Sequence, residues 1–230
     1  MSTTHFVLKQ DIFRHSQPPI HVDSVQEHEA EEAVITFARS LSDGSVGIAA
    51  AYDKCRLTAL AFASGTCVLI VRFAKGKQGK KGQKPKHSPP RPGRDALRLA
   101  LLSHPTLRKL GYNLDRLVTS LYIDVDLRMT HGVDLLGLAG QRKKGHGSLD
   151  VIAQTLGDWG VLGDRERIIA VFQSERFDAN KLDVLALRAW ASYRAGTAAS
   201  AAVKLENEAL YDTHLLPDTV SCHSRRLESL

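Results

Sequence analysis

Apolar positions in this chain form short strand-like runs first and helical stripes later. Three runs, about 46–52, 56–63 and 67–73, have the length and composition of strands. The first follows a turn at Ser42-Asp43-Gly44-Ser45 and precedes the second closely, so a hairpin is predicted. Upstream, Ser24-Val25-Gln26-Glu27 has capping-box wording. It predicts a helix to about Leu41 with Ala30, Ala33, Val34, Phe37, Ala38 and Leu41 on one face. Downstream, Asp95 is read as the cap of a helix through Leu102, ended by His104-Pro105. Lys109 to Tyr112 is a short strand and 114–122 a helix, and Val133-Asp134-Leu135 begins another. Ser148 caps a helix with Leu149, Ile152, Ala153 and Leu156 on one side, and the best-patterned helix runs from about Asp178 to Arg194. Strands first and strand–helix alternation afterwards predict an α/β fold with a mixed sheet flanked by helices.

Charge adds one feature to that pattern. Residues 75–94 carry Lys75, Lys77, Lys80, Lys81, Lys84, Lys86, Arg91 and Arg94 with no acid, among glycines and prolines. Regular structure is disfavoured there, and the segment reads as a basic insertion. Each such group can displace a counterion from a phosphate backbone, which gives salt-sensitive, sequence-blind affinity. A solvated loop or an import signal explains the same composition. A net charge of +6 points the same way, toward polyanionic partners. The three cysteines, Cys55, Cys67 and Cys222, show neither disulfide nor zinc spacing. With no long apolar run and no secretory leader, an intracellular protein of nucleus or cytoplasm is expected, away from the membrane.

Five pieces of wording, in order, carry a resemblance. They are Val46-Gly47-Ile48 before two strands; Leu101-Leu102-Ser103-His104-Pro105 with Lys109-Leu110-Gly111-Tyr112-Asn113; Val133-Asp134-Leu135 with Leu138-Ala139; Ser148-Leu149 with Leu156-Gly157; and Asn180-Lys181-Leu182-Asp183-Val184. Over about residues 20–195 the chain resembles the RNase D and Werner-type 3′–5′ exonuclease domain, of the RNase H-like superfamily. The resemblance implies a sheet opening on an antiparallel three-stranded meander. It leaves 1–19 as an N-terminal extension and 196–230 as a helical or flexible tail able to meet a protein partner.

That family holds two metals about 4 Å apart on four carboxylates. Carried onto this chain, the two strand acids fall on Ala49 and Ala51, which share one strand face. The third falls on Leu117, the fourth on Asp183, and the water-positioning tyrosine on Ala179. One acid of four cannot build a two-metal site, so the resemblance implies a catalytically inactive domain without cofactor. Such a domain would bind single-stranded nucleic acid weakly and non-specifically, or serve as a protein-interaction platform. An active enzyme using Mg²⁺ or Mn²⁺ would need Ala49 and Ala51 to stand for a natural acid pair, or a migrated site built from Asp53, Asp115 and Asp183. Without a site, the alanines of this strand serve tight packing against a helix. Ala49, Ala51, Leu117 and Asp183 are expected to meet in one cleft.

Overall fold

In the computed structural model the described residues are 3–9, 18–74, 91–138, 165–173 and 181–197. The three predicted runs form β3 (Ser45–Asp53), β4 (Arg56–Ala63) and β5 (Cys67–Arg72), an antiparallel meander as expected. The β3–β4 turn places Lys54 and Cys55 at φ 48° and 68°, the paired left-handed geometry of a tight hairpin whose twist matches the strands. Two strands precede the meander. β1 (Thr4–Val7) pairs antiparallel with β2 (His21–Gln26), and β2 runs parallel to β5. On the other side β6 (Arg108–Gly111) runs parallel to β3, and β7 (Gly132–Asp134) parallel to β6. The sheet order is β1-β2-β5-β4-β3-β6-β7.

Several predicted boundaries move. Ser24-Val25-Gln26 is the end of strand β2 rather than a helix cap; a 3-10 turn at Glu27–Glu29 follows, and α1 is Glu31–Ser40. Ser24 is buried and its hydroxyl has no hydrogen-bond partner. Part of the N-terminal extension is thus strand β1. Helix α2 begins at Pro92 and runs to Ala96, continuing as a π-helical segment, Leu97–Leu102, so Asp95 lies within its first turn. Proline at the first helical position sets that start, because its missing N–H has no partner to lose. Helix α3 is Leu114–Val125, and β7 passes directly into α4 (Leu135–Leu138), two residues later than the helix predicted from Val133. Helices α5 (Arg165–Gln173) and α6 (Leu182–Thr197) complete the described structure. The Ser148 helix lies outside the described residues.

Both faces of the sheet are covered, as parallel strands require. On one face Val46, Ile48, Leu60, Phe62, Leu69 and Val71 pack under α1, the π-helical segment and α3. On the other, Ala51, Ala59, Ala61, Ala63 and Ile70 pack under α5 and α6. The alternation along β4, alanines to one side and Leu60 and Phe62 to the other, makes the second face shallow. Helix α6 therefore lies close on it. A β-carbon built on Gly47 would sit 2.0 Å from the Ala189 carbonyl oxygen and 2.6 Å from the Tyr193 nitrogen. Trp190 is buried, and its ring N–H donates to the Gly65 carbonyl at 3.2 Å.

The Tyr193 hydroxyl donates to Asp43 at 2.6 Å, tying α6 to the turn before β3. Burial, helped by that bond, pushes the Tyr193 phenol up to about 12. An unfolded tyrosine titrates near its ordinary 10, so the fold disfavours the phenolate. Its contribution is fully present below pH ~10 and is lost as pH rises through ~12. Wild-type protein should therefore lose stability relative to Tyr193→Phe across this window, read by denaturant titration at successive pH values. A constant difference would place Tyr193 in an ordinary solvated setting.

Candidate functional site

Strand β6 pairs with β3 only at residues 45–47. Beyond Gly47 the edge of β3 opens, and a cleft forms between that edge, the start of α3 and one flank of α6. The cleft encloses about 40 Å³, room for roughly three water molecules. Its walls include Ala49 from β3, Tyr112, Asn113, Arg116 and Leu117 around the β6–α3 junction, Phe172 from α5, and Arg188 and Ser192 from α6. The lining includes two arginines and, among the described residues, no carboxylate.

Each wall has a local cause. Asn113 turns the chain with φ 57° and ψ 47°, a left-handed conformation that asparagine tolerates well. The Asp134 carboxylate then accepts from the Leu114 amide at 3.0 Å and the Leu136 amide at 2.9 Å, capping two helix starts at once. Burial raises its carboxyl above the usual range, and these amide bonds oppose the rise. Tyr112 packs edge-on against Phe172 with ring centroids 5.4 Å apart. Its hydroxyl is buried without a hydrogen-bond partner, and burial drives its pKa far upward. The Arg116 guanidinium lies 4.1 Å from the centroid of the Tyr52 ring, a cation–π contact.

Arg188 is the unusual member. It is only 6% exposed, and its Nε donates to the Val171 carbonyl at 2.7 Å, near the C-terminal end of α5. Desolvation lowers its pKa from the ordinary 12.5 to about 10. Ser192, one turn on, donates its hydroxyl to the Arg188 carbonyl at 2.9 Å. The resemblance points to Asp183 on this helix and not to the buried Arg188. The signal was available as a lone cation inside Leu185-Ala186-Leu187-Arg188-Ala189-Trp190-Ala191, a stretch too apolar to be a solvated helix face.

Of the residues carried over from the resemblance, Ala49 and Leu117 meet in the cleft. Ala51 shares the sheet face of Ala49 but is packed into the core. Asp183 is not among the described lining residues. At ~100° per residue it projects about 140° from Arg188 and about 180° from Ser192 around α6. The expected convergence therefore holds for two of four positions, with Arg188 on the α6 side where an acid was expected. Ala179 lies outside the described residues, as do Lys75, Lys77, Lys80, Lys81, Lys84 and Lys86. Arg91 is exposed at the start of α2. Arg94 is drawn into the fold, its guanidinium paired with Glu27 and donating to the Val125 carbonyl at 2.8 Å.

Metal ligation fits these residues poorly. Alanine and leucine offer no lone pairs, and arginine repels a dication. The migrated set does not assemble: Asp53 and Asp115 are exposed, and Asp115 points about 200° around α3 from Leu117. Among the described residues no three His, Cys, Asp or Glu side chains gather to hold an ion. No described helix is long and apolar enough to cross a membrane.

No family model and no curated protein matches the chain. Among solved structures it is similar to crystal structures of the EXD2 exonuclease domain. One, soaked in Mn and GMP, is 19% identical with a TM-score of 0.37, over 80% of this chain and 92% of that one. Another, soaked in Mn and Mg, is 21% identical with a TM-score of 0.39, over 80% and 86%. These superpositions are loose, and the chemistry of the cleft is read from its own residues.

Proposed function

We propose that this chain is a catalytically inactive 3′–5′ exonuclease-like domain that acts as a nucleic-acid-binding or scaffold module. The observation carrying the reading is the cleft itself. It takes in Ala49 and Leu117, two of the four positions the resemblance assigns to the metal site, and its walls hold two arginines and, among the described residues, no acid. Two dications held ~4 Å apart repel strongly, and only clustered carboxylates offset that. The order of elements supports the fold half of the reading: an antiparallel meander, then a parallel strand leading into α3. Binding falls to the basic insertion, whose groups would contact phosphates without reading bases.

A labelled single strand should stay intact with Mg²⁺ or Mn²⁺ yet be retained at low salt, with affinity falling steeply as salt rises. Deleting 76–90 should lower both the affinity and the salt slope and leave the fold intact. The cut stops short of Arg91 because the next residues belong to the fold. A β-carbon on Gly93 would lie 1.9 Å from the Glu27 carbonyl oxygen, and Arg94 pairs with Glu27. Stepwise 3′ trimming that disappears in Asp183→Ala would overturn the inactive reading. Unchanged binding after the deletion would favour the scaffold role.

A further inference from the structure

We infer that the cleft between β3, α3 and α6 is a metal-independent binding site for a single phosphoryl group, held by Arg188, Arg116 and the hydroxyl of Tyr112. The inference deepens the proposed function, since the phosphoryl group would belong to a nucleic-acid end or to a nucleotide.

Three observations converge on it. First, the walls hold two guanidinium groups and no carboxylate among the described residues. Guanidinium offers a planar fork of donors matched to phosphate oxygens. Second, Arg188 is buried on the cleft wall, its Nε anchored on Val171. A charge removed from water stays unfavourable until an opposite charge or enough acceptors surround it, and a phosphoryl dianion supplies both. Third, the Tyr112 hydroxyl is a buried group with no hydrogen-bond partner. Its raised pKa keeps it protonated, so it remains a donor, and a phosphoryl oxygen is the acceptor it lacks. The first amide of α3 is already taken by Asp134, so attraction comes from side chains rather than from the helix end. The small Ala49 side chain leaves room on the strand side. The enclosed volume, about 40 Å³, suits one compact anion whose remaining substituent leaves through the open edge of β3.

The test uses the full chain in EDTA, with inorganic phosphate as the first probe. Binding is followed by calorimetry and by the NMR signal of the Arg188 Nε–H. Saturable binding that shifts this signal is expected, and Mg²⁺ should not strengthen it. Arg116→Gln should weaken binding about ten-fold and Tyr112→Phe a few-fold, the range for a charge-assisted and a neutral donor. Both variants should fold, because Arg116 is exposed and the Tyr112 hydroxyl bonds to nothing. A second arm compares short oligonucleotides with terminal phosphate or terminal hydroxyl. Tighter binding of the phosphorylated strand, lost in Arg116→Gln, identifies a strand end as the bearer; equal binding, with inorganic phosphate still bound, identifies a free phosphate or mononucleotide. If phosphate leaves the Arg188 signal unmoved, or both variants bind it as tightly as wild type, the inference fails. Strand binding through the basic insertion could persist in that case, leaving the proposed function standing.

Discussion

Gly47→Ala should destabilise the protein by about 3 kcal/mol or more, at or above the upper end of ordinary overpacking. The new methyl would meet backbone atoms, the Ala189 carbonyl oxygen at 2.0 Å and the Tyr193 nitrogen at 2.6 Å. Neither can rotate away as a side-chain tip would, so α6 must lift from the sheet. Lifting it also loosens Gly196 from Leu110, where an added β-carbon would lie only 2.6 Å from the leucine side chain. The expected fall in Tm is roughly 6–12 °C for a chain of this size. Gly65→Ala is the control: its β-carbon would meet nothing nearer than the Tyr193 hydroxyl at 3.7 Å, and its Tm should barely move. Equal thermal curves for the two variants would mean that α6 does not lie this close on β3. The cleft built between them would then lose its frame.

Arg188→Met should do the reverse and stabilise the fold by about 2 kcal/mol. Lowering an arginine pKa from 12.5 to about 10 by desolvation corresponds to roughly 3 kcal/mol against the charged form. The penalty is fully present at neutral pH, where folded and unfolded forms both carry the proton. Against it stands the bond to the Val171 carbonyl, whose net value is about 1 kcal/mol. Desolvation wins, and an apolar chain of similar length fills the same space. Chemical denaturation of the two proteins checks the sign. A marked loss of stability would show that Arg188 is fully compensated within the fold, and the reason for expecting an anion beside it would weaken. A residue that lowers stability at a cleft is what a binding role demands.

The meander was legible because its signals are local: apolar runs of strand length separated by short turns. Strand β6 and helix α3 were legible for the same reason. Strand β2 was not. Its alternation puts Val22 and Ser24 on the buried side, and a buried serine in the pattern Ser-x-x-Glu imitates a helix cap. Its partner β5 lies more than forty residues on, so pairing left no local trace. Pro92 would have located the start of α2 had it outweighed Asp95. At the site, the resemblance pointed to Ala49 and Leu117, which line the cleft, and to Ala51 and Asp183, which do not; Asp183 lies about 140° around α6 from Arg188. Arg188 shows in the sequence only as one cation within the apolar run 185–191, and its burial gives that signal its meaning.

The central claim is that cations of the protein, rather than bound metals, occupy this cleft. Paramagnetic Mn²⁺ titrated into methyl-labelled protein tests it most directly, since relaxation broadening marks any methyl near a bound ion. The Ala49 and Leu117 methyl signals should stay sharp through the titration, broadening no more than exposed methyls such as those of Leu99. Early, selective and saturable broadening of Ala49 and Leu117, reversed by EDTA, would contradict the account.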